Sequence, residues 1–515
     1  MRNVLLDVAV VCGLVLATIT IPPVARAQTP VAQLDWRPCD TSPADPATPF
    51  ATPDASPPGL DCASLAVPLD YAHPDGPRIT LGINRLKAKD SQARIGSLVF
   101  DPGGPGGSGG QLVAFAALGA PLFSDAVRDR FDLIGLDPRG VGASTPVRCD
   151  PDVYNRPVSL FPSDEAGFQQ LLAHNKALGE SCLRMTGPLL AHIDTVSAAR
   201  DIEVVRQALG EGKLNYLGLS YGSMLGTQYA ALYPDQIRVM ALDGALDHDL
   251  SETSMLVDEA TAYEQELDRF VAWCDQTAEC ALHGRDAGAL FDRLVAQADR
   301  TPLPALACAS GTAPAPCRPT VTGADLRINA QNLLLFKNPL PAVGLPGWNG
   351  LAEALVNAEA GDASLLATPM ASGQEDPLYP ALAIACLDFP AQSRSEGDLA
   401  AKEMLGRVIA PHLRGASQTW TIQTGCLGWP APLINPPHAA AVRGAPPILL
   451  VNATHDPSTS YVWAHGLLDQ LPSAVLLTRD GDGHTSYLFP GHTRDAIDAY
   501  LVTGVTPAPN TVTHD

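Results

Sequence analysis

Hydrophobic and polar residues alternate in two ways along the chain, and the two patterns predict strands and helices. Short apolar runs that end at Gly, Asp or Ser occur at residues 96–100, 131–136, 216–219 and 238–242. Such runs are typical of strands that are buried on both faces of a parallel sheet. Between residues 195 and 209 the apolar positions recur every three or four residues, which predicts an amphipathic helix. Strands alternating with helices indicate an α/β fold with a mostly parallel sheet.

This alternation stops after Gly244 and resumes only near residue 447. In between, Ser251 begins a long helical pattern, and shorter helical patterns follow at 287–298, 323–335 and 349–366. We therefore predict a large, mostly helical cap inserted into an α/β core. The predicted divisions are a signal peptide (1–27), an irregular N-terminal segment (28–66), the first part of the core (67–248), the cap (249–440) and the C-terminal part of the core (441–515).

Composition narrows the classes of partner. The chain has 515 residues, of which 46% are hydrophobic and 17% charged, so it can bury a sizeable core. Its formal net charge of −22 argues against nucleic acid and against anionic membrane surfaces as partners. The sequence contains no C-x-x-C pair and no histidine cluster with metal-ligand spacing, so we expect neither a metal site nor a cofactor.

The N-terminus has the features of a secretory signal. Arg2 supplies a positive charge, residues 8–21 are apolar, and Ala25-Arg26-Ala27 is an A-x-A cleavage site. The mature chain is predicted to start near Gln28 and to be extracellular. No later run is long and apolar enough to cross a bilayer, so we expect no membrane association after cleavage.

Cysteine usage agrees with export. Of the 11 cysteines, Cys12 lies in the signal segment, which leaves an even number in the mature chain. An even number in an exported protein indicates disulfides, although sequence leaves their connectivity open. Pairing of near neighbours suggests Cys39–Cys62, Cys149–Cys182, Cys274–Cys280, Cys308–Cys317 and Cys386–Cys426.

A candidate nucleophile lies in Gly218-Leu219-Ser220-Tyr221-Gly222, between a strand pattern and a helical pattern. Strand, tight turn and helix form the context of a nucleophile elbow, in which the serine has a strained backbone at the end of the strand. The helix N-terminus behind it favours developing negative charge. A chance G-x-S-x-G is the alternative in a chain rich in Gly and Ser.

A serine nucleophile needs a base and an orienting acid, and in this fold class they follow it in the order acid, then histidine. Asp456 comes just after the strand pattern that resumes near residue 447, and His484 lies in a Gly-rich loop after the last one. We predict the triad Ser220, Asp456 and His484. His455 is a competing base, Asp480 and Asp482 are competing acids, and Asp456 could instead serve as a turn residue.

A glycine-rich loop, residues 103–109, follows the strand pattern at 96–100. It lacks the Gly-Lys-Ser/Thr ending of a phosphate-binding loop and the spacing of a dinucleotide fingerprint. It suits an oxyanion loop, because glycines let backbone N–H groups approach a substrate carbonyl. We predict the Tyr221 and Gly104 N–H groups as the oxyanion donors, with Gly103 as the alternative to Gly104.

Several motifs together resemble a known family. Those shared with the proline iminopeptidase branch of the α/β-hydrolases are Gly103-Gly104-Pro105-Gly106, Asp137-Pro138-Arg139-Gly140-x-Gly142-x-Ser144 and the Ser220 pentapeptide. Ala383-Ile384-Ala385-Cys386-x-Asp388 and Cys426-x-x-Trp429-Pro430 narrow the resemblance to secreted tripeptidyl aminopeptidases and TAP-like relatives. Asp101 departs from the pattern, since iminopeptidases usually carry His there, and this leaves the shape of the oxyanion loop open. We expect Asp137 and Arg139 to be structural.

The resemblance implies a secreted serine exopeptidase that releases short peptides, such as tripeptides, from free N-termini through an acyl-enzyme. Such an enzyme needs a carboxylate for the substrate ammonium, and the first cap helix offers Glu252, Asp258 and Glu259. A solvated helix face is the alternative interpretation of these acids. Two other functions stay open: an esterase or other small-molecule hydrolase with the same triad, and a non-catalytic binding protein. Sequence does not determine the oligomeric state.

Overall fold

The computed structural model describes residues 33–39, 59–341 and 344–515. The predicted signal peptide and cleavage site lie outside the described residues, as does most of the N-terminal segment. The strands of the described residues are β1 (Arg37–Pro38), β2 (Leu60–Pro68), β3 (Arg78–Leu86), β4 (Gly96–Asp101), β5 (Phe131–Leu136), β6 (Leu214–Leu219), β7 (Ile237–Asp243), β8 (Leu303–Pro304), β9 (Thr320–Val321), β10 (Ile448–His455), β11 (Ala474–Asp482) and β12 (Thr511–His514).

Helices fill the segments between most strands. They are α1 (Gly109–Ala117), α2 (Asp125–Arg130), α3 (Pro151–Tyr154), α4 (Glu165–Thr186), α5 (Thr195–Ala208), α6 (Tyr221–Leu232), α7 (Glu252–Gln276), α8 (Ala287–Arg300), α9 (Leu306–Ser310), α10 (Gly323–Leu334), α11 (Trp348–Glu359), α12 (Leu378–Asp388), α13 (Glu396–Ile409), α14 (Gln418–Gly425), α15 (Tyr461–Gln470) and α16 (His492–Thr503).

The predicted mostly parallel sheet is confirmed. Ten strands pair in the order β1-β2-β3-β5-β4-β6-β7-β10-β11-β12. The pairs β1–β2, β2–β3 and β3–β5 are antiparallel, and all later pairs in the order are parallel. Every residue of β4, β5 and β6 is buried, as expected for continuous apolar runs covered by helices on both faces.

This strand order brings together the loops that carry the predicted site residues. Leu219 at the end of β6 is in register with Asp243 of β7, and Asp243 is in register with Val451 of β10. His455, at the end of β10, is in register with Asp482 of β11. Because these strands are parallel neighbours, the segments that follow β6, β7, β10 and β11 all emerge at one edge of the sheet.

Residues 249–440, called here the helical region, contain helices α7 to α14 and the small β8–β9 sheet. Some of their buried apolar side chains form a separate cluster around Tyr263, Phe270, Phe291 and Trp348, whereas those of α12 pack into the main core cluster. The sequence pattern predicted one helical piece over 349–366. The structure instead ends α11 at Glu359, and Gly361 follows with a positive φ of 104° before a short 3₁₀ turn.

Five disulfides link the ten cysteines of the described residues in the near-neighbour pairing that the sequence suggested: Cys39–Cys62, Cys149–Cys182, Cys274–Cys280, Cys308–Cys317 and Cys386–Cys426. Cys386–Cys426 joins the end of α12 to the end of α14. In the part of the chain that the structure describes, no helix has both the length and the apolar character needed to span a membrane.

Candidate active site

Ser220 occupies a sharp turn between β6 and α6. Its φ of 57° and ψ of −123° lie in a region that non-glycine residues rarely adopt. The neighbouring glycines permit the turn, because a Cβ on Gly218 would overlap the carbonyl oxygen of Gly222, and one on Gly222 would lie 2.8 Å from the Asp101 carbonyl oxygen. Ser223 Oγ holds the turn by donating to the Ser220 carbonyl at 2.6 Å. The result is a half-exposed Ser220 at the N-terminus of a helix.

Asp456 and His484 face each other at the same sheet edge. His484 Nδ1 lies 2.8 Å from Asp456 Oδ1 and 2.9 Å from Oδ2, and both side chains are buried. Asp456 also accepts hydrogen bonds from the N–H groups of Ser458, Thr459 and Thr485. Burial alone would raise the pKa of Asp456, but His484 and these hydrogen bonds outweigh it and hold the pKa below its ordinary value. The acid is therefore charged and fixed.

The competing candidates have other partners. Asp482 forms ion pairs with Arg269 and with Lys337 Nζ, the latter at 2.7 Å. Asp480 is exposed and lies 3.2 Å from His514 Nδ1. These ion pairs leave Asp456 as the carboxylate beside His484, while Asp482 ties the loop that carries His484 to the helical region.

Asp243, at the end of β7, connects Ser220 to the loop that carries His484. Its carbonyl accepts the Ser220 N–H at 2.8 Å, and its carboxylate accepts the Ser486 and Tyr487 N–H groups at 2.7 Å. Burial raises the pKa of Asp243 to about 6, against the effect of those two N–H groups. In the sequence, this residue is visible only as the polar position that follows the apolar run at 238–242. The position of β7 between β6 and β10 in the sheet, which places Asp243 beside both loops, cannot be read from the sequence.

No hydrogen bond to the Ser220 hydroxyl forms among the described residues. Catalytic hydrogen bonds in unliganded sites are often long and tighten when substrate binds. His484 lies beside Gly244, where an added Cβ would be 3.3 Å from His484 Cε1, and the Gly244 carbonyl lies 3.0 Å from Ser223 Oγ, the group that holds the Ser220 turn. The ring of Phe336, in the helical region, packs with its centroid 6.2 Å from that of His484.

The predicted oxyanion donors differ in whether their N–H groups already donate a hydrogen bond within the protein. The Gly103 N–H already donates to Asp101 Oδ1 at 2.8 Å. By contrast, the N–H groups of Gly104 and Tyr221 have no partner within the described residues. Gly103 packs directly against the elbow, where a Cβ would overlap the Leu219 carbonyl oxygen and lie 2.9 Å from the Tyr221 nitrogen. Gly104 and Tyr221 are therefore the pair free to bind an anionic oxygen.

Asp101 stands where the iminopeptidase pattern usually has His, and it holds the glycine-rich loop. The carboxyl group is buried behind the glycine-rich loop, and its Oδ1 accepts the Gly103 N–H. Burial raises the pKa of Asp101 to about 7, although the hydrogen bond from Gly103 acts in the opposite direction. Asp101 thus shapes the turn that presents Gly104.

The loop after β5 is held by buried polar contacts. Arg139 is 0% exposed and binds both carboxylate oxygens of Asp201, at 2.7 Å and 2.6 Å. Asp137 accepts hydrogen bonds from Ser108 Oγ and from the Gly110 and Ala143 N–H groups. Asp137 therefore links the start of α1, directly after the glycine-rich loop, to the loop after β5.

The three acids predicted for substrate binding have different surroundings, and two of them are not on a solvated helix face. Glu252 is buried and pairs with Lys402 Nζ at 2.6 Å. Asp258 is half-buried and accepts a hydrogen bond from Trp463 Nε1 at 3.0 Å. Asp258 also lines a cavity of about 330 Å³ whose described lining residues include Asp456 but neither Ser220 nor His484.

Glu259 is the acid of this set that interacts electrostatically with His484. It is 2% exposed, and its carboxylate accepts the Thr419 N–H at 2.6 Å. Burial raises the pKa of Glu259 to about 7, while hydrogen bonds from Thr419 and Ser417 and the charge of His484 act to lower it. Glu259 is therefore a buried acid that interacts with His484, and a nearby cation would favour its ionised form.

Metal chemistry has no evident site in the described residues, where no group of three or more His, Cys, Asp or Glu side chains is arranged to hold an ion. The arrangement instead combines a half-exposed serine on a strained turn, a histidine oriented by a charged aspartate, and two N–H groups without a partner in the described residues. These are the elements of nucleophilic acyl transfer.

The chain is similar over most of its length to known hydrolases and peptidases. A family model described as alpha/beta hydrolase fold matches residues 96–490. Serine protease Hip1 of Mycobacterium tuberculosis is 32% identical over 496 residues, which cover 92% of this chain and 89% of that protein. Tripeptidyl aminopeptidase of Streptomyces lividans is 30% identical over 506 residues, 94% of this chain and 87% of that protein. Carboxylesterase B of Mycobacterium tuberculosis is 32% identical over 473 residues, 87% of this chain and 85% of that protein.

Proposed function

The chain belongs to the α/β-hydrolase family and is a relative of the tripeptidyl aminopeptidases, and we propose that it is a secreted serine exopeptidase that releases short peptides from free N-termini. The observation that carries this proposal is the contact of His484 with Asp456 at the sheet edge where the strained Ser220 turn also lies. The names of two relatives, a serine protease and a tripeptidyl aminopeptidase, support peptides as substrates.

In the proposed reaction, Ser220 Oγ attacks the scissile carbonyl carbon while His484 Nε2 accepts the hydroxyl proton. Asp456 keeps the His484 ring oriented through Nδ1 and stabilises the imidazolium. The tetrahedral intermediate then collapses, the C–N bond breaks, and His484 gives its proton to the leaving amine. Water next attacks the acyl-enzyme with His484 as base, which releases the N-terminal fragment and restores Ser220.

The developing negative charge on the carbonyl oxygen requires donors that are already oriented. The N–H groups of Gly104 and Tyr221 are proposed for this role, supported by their lack of other partners among the described residues. Loss of one such donor typically costs on the order of 10²–10³-fold in kcat.

We assign recognition of the substrate ammonium to Glu259 rather than to Glu252 or Asp258. Glu252 already has Lys402 as its counter-ion, and Asp258 is bound to the Trp463 indole. Glu259 is buried, interacts with His484 and has no Lys or Arg ion-pair partner in the described part of the chain. The helical region would then act as a cap, and the distance from Glu259 to Ser220 would set the length of the released peptide, with tripeptides as the proposed product.

Export is proposed from the N-terminal signal pattern, and it is supported by the five disulfides, which persist in oxidising compartments. N-terminal sequencing of the protein from culture medium should find a start near Gln28. Retention of the whole protein inside the cell would contradict export without affecting the catalytic proposal.

The central experiment compares three substrates: a tripeptide anilide with a free N-terminus, its N-acetylated form and a simple ester. The proposal expects kcat/KM for the free form to exceed that of the blocked form by at least about tenfold, as for loss of one charge-assisted contact. Preference for the ester, with no effect of acetylation, would instead support an esterase. That second candidate is favoured by the 32% identity to Carboxylesterase B.

A fluorophosphonate probe distinguishes a third possibility, a non-catalytic binding protein, from the two hydrolases. The proposed nucleophile should be labelled at Ser220, and labelling should disappear in Ser220→Ala. An unlabelled but folded wild-type protein would overturn both hydrolase proposals at once.

A further inference from the structure

Tyr221 has a buried side chain whose hydroxyl the proposed reaction does not use. The side chain is 2% exposed, and its phenol oxygen lies 2.6 Å from Thr195 Oγ1, at the first residue of α5. The same residue begins α6 and carries one of the N–H groups proposed for the oxyanion hole. Whatever holds the phenol therefore also restrains the peptide group that follows Ser220.

Thr195 also forms hydrogen bonds with Asp388. Its hydroxyl donates to Asp388 Oδ2 at 2.6 Å, and its N–H lies 3.1 Å from Asp388 Oδ1. Because a threonine hydroxyl has a single proton, donation to Asp388 leaves the Thr195 oxygen to accept from the Tyr221 phenol. The three groups then form one directed chain that ends on a carboxylate at the N-terminus of α5, where negative charge is favourable.

Asp388 is itself fixed from two further sides. It is 0% exposed, Asn435 Nδ2 donates to its Oδ1 at 2.9 Å, and His248 Nε2 lies 2.8 Å from its carbonyl oxygen. It is also the last residue of α12, two positions after the half-cystine Cys386. The chain of hydrogen bonds therefore runs from the helical region, through α5 of the core, to the residue beside the nucleophile.

We infer that Asp388 and Thr195 are positioning residues for catalysis, which set the orientation of the Tyr221 N–H through its phenol and so couple the helical region to the oxyanion hole. This inference rests on the proposed function, because it assumes that the Tyr221 N–H binds the oxyanion. Donors of that kind must hold their geometry to within about 0.5 Å, and a displacement of about 1 Å can cost 10²-fold in rate. Release of the phenol should therefore act on kcat more than on KM.

The test is Tyr221→Phe, which removes the hydroxyl and keeps the ring and the backbone N–H. We expect kcat for the free tripeptide anilide to fall about tenfold with KM changed less than about twofold. A peptide boronic acid, whose tetrahedral adduct with a serine places an oxygen in the hole, should bind more weakly by a similar factor. A role confined to stability would lower Tm and leave both of these quantities unchanged.

A matched control lies on the same helix. Tyr229 of α6 is also buried, and its phenol also donates to a carboxylate, Glu203 Oε2 at 2.8 Å. Tyr229→Phe removes the same atom two helical turns from Ser220, so kcat and boronate affinity should stay at the wild-type level. If both phenylalanine variants lose kcat equally, or if Tyr221→Phe keeps the wild-type kcat, the inference is wrong.

Two further variants follow the chain of hydrogen bonds. Thr195→Val should reproduce the kcat loss of Tyr221→Phe, and combining the two should add almost nothing, because both remove the same contact. Additive losses would show that the two residues act separately and would overturn the inference. Asp388→Asn should likewise lower kcat, and if it fails to fold, the Tyr221 and Thr195 variants still decide the question.

Failure of the proposed function gives a different result from failure of this inference. If Ser220 is not labelled by a fluorophosphonate in the wild-type protein, the catalytic assignment fails and the kcat comparison has no basis. If Ser220 is labelled and the wild-type protein cleaves the anilide, but Tyr221→Phe behaves like Tyr229→Phe, the inference alone is wrong.

Discussion

Asp456 and Glu259 are two buried acids from different regions that both interact with His484, and their electrostatic environments are opposite. Asp456, from the sheet edge, accepts three backbone N–H groups as well as the imidazole, and its pKa is lowered. Glu259, from helix α7, accepts one backbone N–H, and burial raises its pKa to about 7. Local backbone donors at the end of a strand can stabilise a permanent charge, whereas a side chain in the middle of a helix has few such donors.

This difference suggests a division of roles. The sheet edge supplies a charge that is fixed before substrate arrives, as orientation of a catalytic base requires. Helix α7 supplies a carboxyl group whose charge becomes favourable when a cation enters, as recognition of an ammonium requires.

Asp456→Asn should lower kcat on the order of 10⁴-fold, because an amide stabilises the wrong tautomer of His484 and cannot balance an imidazolium. Steady-state kinetics with the free tripeptide anilide measures the loss. Asp480→Asn is the control, since this acid is exposed and pairs with His514. A comparable loss in the control, or a loss below about tenfold in Asp456→Asn, would remove the sheet-edge acid from the mechanism.

Gly103→Ala should lower kcat by about 10²-fold or more, because the new Cβ overlaps the Leu219 carbonyl oxygen and displaces the oxyanion loop. Its φ of 89° adds backbone strain. Gly119→Ala separates these effects, since Gly119 has a φ of 97° with nothing within 4 Å of the added Cβ. The control should lose about 1 kcal/mol of stability and keep its kcat. Equal kcat values for the two variants would contradict the close packing of loop and elbow.

Glu259→Gln should raise KM for the free tripeptide anilide by roughly 10–30-fold, because it removes a charge-assisted contact. KM for the N-acetylated form should stay unchanged. Asp258→Asn, on the same helix, is the control and should keep the wild-type KM. Discrimination between free and acetylated substrate that survives in Glu259→Gln would show that another group binds the ammonium.

The pH dependence follows from the raised pKa of Glu259. In the free enzyme this acid is neutral below about pH 7 and ionised above it, so affinity for an ammonium should increase as pH rises through about 7. The substrate amine loses its proton near pH 8, which sets the upper limit. The ratio of kcat/KM for free over acetylated substrate isolates this effect from titration of the base. It should rise with pH in the wild type and stay flat through pH 7 in Glu259→Gln.

Lys402→Met should change stability and not activity, which would distinguish Glu252 from Glu259 on the same helix. It leaves the buried Glu252 without its counter-ion, a loss of roughly 3–5 kcal/mol in the free energy of unfolding. Lys176→Met breaks an exposed pair with Glu180 and should cost less than about 1 kcal/mol. Urea unfolding measures both. A selective rise in KM for the free N-terminus in Lys402→Met would place Glu252 in substrate binding.

Features that depend on the local order of residues could be predicted from the sequence. Continuous apolar runs predicted the buried strands β4, β5 and β6, because a strand covered on both faces needs no polar alternation. The G-x-S-x-G spacing predicted the strained turn at Ser220, since only glycines allow the approach of Gly218 to Gly222. Chain order placed Asp456 and His484 after later strands, where loops of a parallel sheet converge.

Other features were decided by residues far apart in the chain. The acidic positions of α7 were visible, but the difference between Glu252 and Glu259 comes from Lys402 and Thr419, the latter 160 residues from Glu259. The strand order put Asp243 between Ser220 and the His484 loop. The tertiary structure also joined Tyr221 to Asp388 through Thr195. Local spacing specifies backbone conformation, whereas the charge of a buried acid depends on which distant donors folding brings to it.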